Sequence, residues 1–115
     1  MAVTIYHNNV CSNSRGALAL IHEAGIEPVI VDYLKDPPTR AGLADMIARA
    51  GLTPRAAMRD KGDVYEQLSL ADPALTDDQL LDAMSAHPAL INRPFVVTEK
   101  GVRLCRPPAT VHEIL

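Results

Sequence analysis

Cysteine is scarce in this chain. Only Cys11 and Cys105 occur among 115 residues, far apart in sequence. In a reducing cytosol they read as thiols rather than as a structural disulfide. Ser14 stands where a C-x-x-C dithiol would need its second cysteine, so Cys11 has to act as a single nucleophile. Metal chemistry is not expected. Two cysteines cannot complete a zinc shell, and His7, His22, His87 and His112 show no ligand spacing. Long apolar runs are missing, and Met1-Ala2-Val3 opens no signal-peptide pattern, so the expectation is a cytoplasmic protein with no membrane role. Basic residues are not in excess. Lys and Arg total 11 against 14 Asp and Glu, a formal net charge of -3, which gives no support for a nucleic-acid partner. An anion site must then come from arginines that converge locally. Repeats and low-complexity segments are absent.

What is present suits one domain, residues 1–115, with a single core; 48% of the residues are hydrophobic. The apolar run Val3-Thr4-Ile5-Tyr6 reads as a short buried strand. Ala17, Leu18, Leu20, Ile21 and Ala24 then recur at helical spacing, and Gly25 ends the run. Between them lies His7-Asn8-Asn9-Val10-Cys11-Ser12-Asn13-Ser14-Arg15. Cys11 is therefore expected in a tight loop at the start of a helix. The unpaired N–H groups and partial positive charge there favour thiolate over thiol. Ser12, Asn13 and Ser14 can cap the helix or donate to the sulfur, and Arg15 adds charge. This polar surround argues against burial of the thiol. His7 either sits near the sulfur or merely ends the strand.

Val29-Ile30-Val31 reads as a second buried strand, completing a βαβ unit with parallel strands. A run of short helices follows, over about residues 39–88. Thr39 caps a helix carrying Leu43, Met46 and Ile47. Thr53-Pro54 starts a second, ending near Arg59. Val64 to Leu70 makes a turn or two, and Thr76 with Gln79 forms a capping box before Leu80, Leu81 and Met84. Phe95–Thr98 and 102–105 flank Glu99-Lys100-Gly101 as an antiparallel hairpin, and Pro107-Pro108 opens a last helix. The order βαβ, helical block, ββα is that of a thioredoxin-like α/β fold, a small mixed sheet with flanking helices and a helical insertion between its halves.

Arg59, Arg93 and Arg106 sit at element ends, two of them beside proline, where guanidinium groups can converge on a tetrahedral oxyanion. Arg15, Arg40, Arg49, Arg55 and Arg103 fall on helix or strand faces and read as surface. Pro94, entering a strand, is a candidate cis-proline in such a fold. Cys105 ends an apolar strand and reads as a buried structural thiol.

With these residues in view, the chain resembles the glutaredoxin-dependent arsenate reductase family. The likeness runs through His7-Asn8, Cys11 and Ser14-Arg15, Tyr33-Leu34 with Pro37-Pro38, Arg55 to Arg59, Tyr65-Glu66-Gln67-Leu68, Leu90 to Pro94, and Arg103 to Pro107. It implies Cys11 as nucleophile, arsenate binding by Arg59, Arg93 and Arg106, thiolate support by His7 and Ser14, and a cis bond before Pro94. It also implies glutathione as co-substrate and glutaredoxin as partner, with no bound cofactor. Two other readings stand beside it: a regulatory protein of the same fold that acts by docking to a partner, and a glutathione-dependent reductase of another substrate.

Overall fold

Val3, Ile5 and His7 alternate with Thr4 and Tyr6, and this period of two is realised in strand β1, Thr4–His7. Ile5 and His7 are buried on one face while Thr4 and Tyr6 are half-buried on the other. Helix α1, Ser12–Glu23, answers with Ser14, Ala17 and Ile21, spaced three and four apart on its buried side. The computed structural model describes residues 1–115 and divides them into two compact units, Met1–Asp36 with Arg93–Leu115, and Pro37–Asn92.

In the first unit, β1 pairs parallel with β2, Val29–Asp32, and antiparallel with β3, Phe95–Thr98. Strand β4, Gly101–Leu104, closes the hairpin with β3, so the sheet order is β2-β1-β3-β4. This is the mixed sheet with flanking helices of a thioredoxin-like fold. One core holds Val3, Ile5, Ala17, Ile21, Val96, Cys105, Val111 and Ile114. Complete burial of side chains such as Ile5 and Ile21 contributes about 1.5–3 kcal/mol each. The C-terminal segment packs on α1 so closely that a Cβ on Gly16 would lie 2.8 Å from Pro108 Cγ. Only glycine permits that approach.

Two expectations for this unit are corrected. The run Val29-Ile30-Val31 is an exposed edge strand and not a buried one; Val29 is 63% and Ile30 48% accessible. Parallel strands ordinarily carry apolar runs because both faces are covered. Here the run pairs on one side only. The last helix is a 3₁₀ segment, Pro108–Glu113, and a short run starting on prolines suits that tighter form. The Arg93–Pro94 peptide is cis, as the fold reading suggests, and so is Arg106–Pro107, which nothing in the sequence signals.

The second unit is helical: α2, Arg40–Arg49; α3, Pro54–Ala57; α4, Asp63–Gln67; α5, Asp77–Ala86; and a 3₁₀ turn, Pro88–Leu90. Thr39 and Thr53 cap α2 and α3 by accepting from Gly42 N–H and Ala56 N–H, and Thr76 with Gln79 makes the expected capping box on α5. Helix α5 packs against α2, α3 and the 3₁₀ turn. No helix of the chain is long and apolar enough to cross a membrane.

Candidate active site

Strand β1 stops at His7 and α1 begins at Ser12, which leaves a four-residue loop ending on Cys11. The loop is pinned by its own polar groups. The Cys11 N–H donates to the Asn8 carbonyl at 3.0 Å, the Val10 N–H donates to Asn8 Oδ1 at 3.1 Å, and Asn8 Nδ2 donates to the buried Tyr33 hydroxyl at 3.3 Å. Cys11 takes the N-cap position of α1, in extended conformation. A side-chain acceptor at that position meets the second and third backbone N–H groups of the helix. Cys11 makes no side-chain cap hydrogen bond, yet the backbone N–H groups of Ser14 and Asn13 still favour thiolate over thiol at this end of the helix.

Cys11 is only 7% exposed. Burial alone pushes a thiol pKa up. That push is outweighed by the Ser14 N–H, the charge of Arg93, the Asn13 N–H and a hydrogen bond from Arg106, and the thiol lies below its ordinary range. Arg106 Nη1 is 3.7 Å from Cys11 Sγ and donates at 2.9 Å to the Arg93 carbonyl, so one guanidinium is tied to the chain at the cis-proline and faces the sulfur. The expectation of an accessible thiol in a polar surround is thus corrected. Ser14 is itself fully buried, because its hydroxyl is satisfied inside the protein: it accepts from Asn8 N–H at 3.0 Å and shares a 2.6 Å hydrogen bond with His7 Nδ1.

His7 reaches Ser14 because the strand period puts it on the α1 face. Burial lowers its pKa, against the raising effects of the Asn9 hydrogen bond and of Asp32, with Arg15 lowering it further. The lowering favours the neutral ring, which shares its hydrogen bond with the Ser14 hydroxyl. Arg15 is turned to the Asn9 carbonyl, at 3.0 Å, and stiffens the loop from outside.

Arg59 belongs to the helical unit, and its setting corrects the sequence reading. Helix α3 stops at Ala57, and Met58 then bridges Ile91 in antiparallel pairing. Arg59 follows in that extended stretch, its N–H donating to the Leu90 carbonyl at 2.7 Å. Its side-chain Nε is buried and has no hydrogen-bond partner. Arg55, read as surface, is half-buried and donates to the carbonyls of Leu70 and Asp72. Its position on a short helix concealed this, because the accepting loop is only reached by folding. No group of three or more His, Cys, Asp or Glu side chains is placed to hold a metal ion. Cys105 lies in the apolar core, where burial and the charge of Glu113, against Arg103, push its thiol up to about 12.

The structure thus places a single activated thiol, faced by arginine, just past the end of the inner strand β1 of a four-stranded mixed sheet. The model described as the ArsC family matches residues 6–114. The chain belongs to the ArsC family. Among relatives of this ArsC chain, an arsenate reductase of Rhizobium meliloti (strain 1021) is 59% identical over 115 residues, covering 100% of this chain and 82% of the relative. An arsenate reductase of Escherichia coli (strain K12) is 51% identical over 113 residues, 98% of this chain and 80% of the relative. Among solved structures, an arsenate reductase from Vibrio cholerae superposes with a TM-score of 0.94 at 46% identity, covering 100% of this chain and 98% of that one.

Proposed function

We propose that this protein is an arsenate reductase that works through a covalent Cys11–arsenic adduct resolved by glutathione and glutaredoxin. One observation carries the reading: in an ArsC-family chain, the Cys11 thiol is held below its ordinary pKa by helix N–H groups and by Arg93 and Arg106. A thiolate beside guanidinium donors is suited to attack an electrophilic oxyanion that those donors hold. Arg93 and Arg106 anchor the arsenate. Arg59 is a third donor, and its buried, unpartnered Nε supports that role.

The Cys11 sulfur attacks arsenic(V), an As–S bond forms, and an arsenate oxygen leaves as water after protonation. Glutathione thiolate then adds to the arsenic with loss of a second water. The glutaredoxin thiolate attacks the glutathionyl sulfur; the As–S bond to glutathione breaks and its electron pair stays on arsenic. Arsenic(V) becomes arsenic(III), and the two electrons come from the two thiols, which leave as a mixed disulfide. Water displaces the Cys11 sulfur, releasing arsenite and regenerating the thiolate. No bound cofactor takes part.

The test is arsenite formation from arsenate by the purified protein, with glutathione and glutaredoxin each omitted in turn. Turnover that needs both supports the reading. Turnover without glutathione, with loss of both free thiols, would replace it with an internal disulfide route through Cys105.

A further inference from the structure

The helical unit contains a cavity of about 460 Å³, lined by Arg55, Ala56, Met58, Asp60, Tyr65, Ala71, Pro73 and Asn92. That volume is in the range of small-molecule sites, which are commonly apolar with a few convergent polar groups. The lining carries both signs of charge. Two Arg55 nitrogens donate to the backbone carbonyls of Leu70 and Asp72. Carbonyls occupy some of its five donors but do not neutralise its charge. Asp60 is exposed and carries no ion pair, so its carboxylate is not neutralised either. Tyr65 and Asn92 add a hydroxyl and an amide, and Ala56, Met58, Ala71 and Pro73 supply apolar wall. The ligand chemistry this favours is a small zwitterion with amide bonds and a short aliphatic body.

The cavity is also connected to the proposed chemistry within its own unit. Tyr65 lines a second, smaller cavity of about 80 Å³, whose wall includes Arg59. Met58 and Asp60 flank Arg59 in the chain. We infer that this cavity seats glutathione, with a ligand carboxylate on Arg55, the γ-glutamyl ammonium on Asp60, and the thiol directed along Tyr65 toward Arg59. The inference rests on the proposed reductase reading, since that reading supplies the thiol peptide. Covalent chemistry is unchanged by it; the cavity binds the thiol peptide and does not react with it.

The probe is S-methylglutathione, which binds without reacting, titrated into the ¹⁵N-labelled full chain. Saturable amide shifts centred on Ala56, Asp60, Tyr65 and Asn92 are expected. Asp60→Asn and Tyr65→Phe should each weaken binding, Asp60→Asn by about tenfold for the loss of one charge-assisted hydrogen bond, while Asp45→Asn on α2 leaves it unchanged. The dimethyl ester, which lacks both carboxylates, should bind much more weakly. The spectrum of each variant shows that it is folded. An absence of shifts at millimolar probe, shifts centred on other residues, or unaltered binding by Asp60→Asn would overturn the assignment. Wild-type turnover is read separately: no arsenite with glutathione and glutaredoxin, but intact S-methylglutathione binding, would count against the reductase reading and not against the cavity.

Discussion

Cys11 and Cys105 are both buried and both unpaired, and both belong to the sheet-containing unit. Their surroundings drive them in opposite directions. Around Cys11, burial is outweighed by two helix N–H groups and two guanidinium groups, and the thiol falls below its ordinary range. Around Cys105, burial dominates, Glu113 adds to it, and the thiol is pushed up to about 12. Low exposure therefore does not decide whether a cysteine is reactive. What decides is whether the atoms that replace water around the sulfur can stabilise its negative charge. Core side chains such as Val96, Val111 and Ile114 cannot; the first turn of α1 can.

The sharpest break of this comparison is removal of each sulfur. Cys11→Ser should reduce arsenite formation by about 10⁴-fold or more, as loss of a covalent nucleophile does. Cys105→Ala should keep most of the activity and its dependence on glutathione. Equal losses in steady-state assays would make Cys105 a working thiol and remove the contrast.

Alkylation reads the same contrast without substrate. With iodoacetamide at neutral pH, Cys11 should react with a rate that rises with pH through a midpoint below about 8.5, the value of a free thiol. Cys105 should react at least ~10³-fold more slowly, because both burial and its raised pKa must be overcome by opening of the core. Mass spectrometry of peptides after a timed quench assigns each rate. A Cys11 midpoint at the free-thiol value would mean that the helix N–H groups and arginines do not act on the sulfur as placed.

The arginines come next. Arg106→Ala should lower kcat/KM for arsenate by about ten- to a hundredfold, the cost of one or two charge-assisted hydrogen bonds, and Arg93→Ala and Arg59→Ala should fall in the same range. Arg49→Ala is the control, since Arg49 lies on the exposed side of α2, 3.8 Å from Asp45. Losing as much activity in the control as in the three would dissolve the assignment. Arg106→Ala should in addition raise the alkylation midpoint of Cys11, an effect that a purely substrate-binding arginine would lack.

Much of this arrangement could be read from residues. The period-two strand, the helix spacing after it and the capping box at Thr76 are local patterns, and local patterns decided β1, α1 and α5. Cys11 at a strand-to-helix turn followed directly from them. Burial was less legible. The exposed edge at Val29 and Ile30 depends on which strands flank β1, and sequence does not state sheet order. The buried Ser14 depends on His7 arriving across the core to meet its hydroxyl. Arg55 reads as surface until the loop carrying Leu70 and Asp72 folds back onto it. Non-local partners were missed because each needs two distant segments to be placed first.

The smallest expected effect is on stability, and its sign separates the two thiols once more. Cys105 has its pKa raised in the folded state, to about 12. The stability linked to it is therefore fully present below the unfolded value of about 8.5, and it is lost as pH rises toward the folded value. At about pH 9.5 the unfolded chain gains roughly 1.4 kcal/mol from ionising this thiol, which the core forbids. Cys11 has its pKa lowered, so its contribution is present above about 8.5 and is lost as pH falls through its folded value. Urea melts near pH 7.5 and pH 9.5 test both signs. Cys105→Ala should begin less stable, by about 1 kcal/mol for the vacated core volume, yet lose about 1.4 kcal/mol less than the wild type over that interval. Cys11→Ser should not flatten this alkaline decline. Should Cys105→Ala decline as steeply as the wild type, the Cys105 thiol would have to ionise within the folded protein, and the core around it would be open to water.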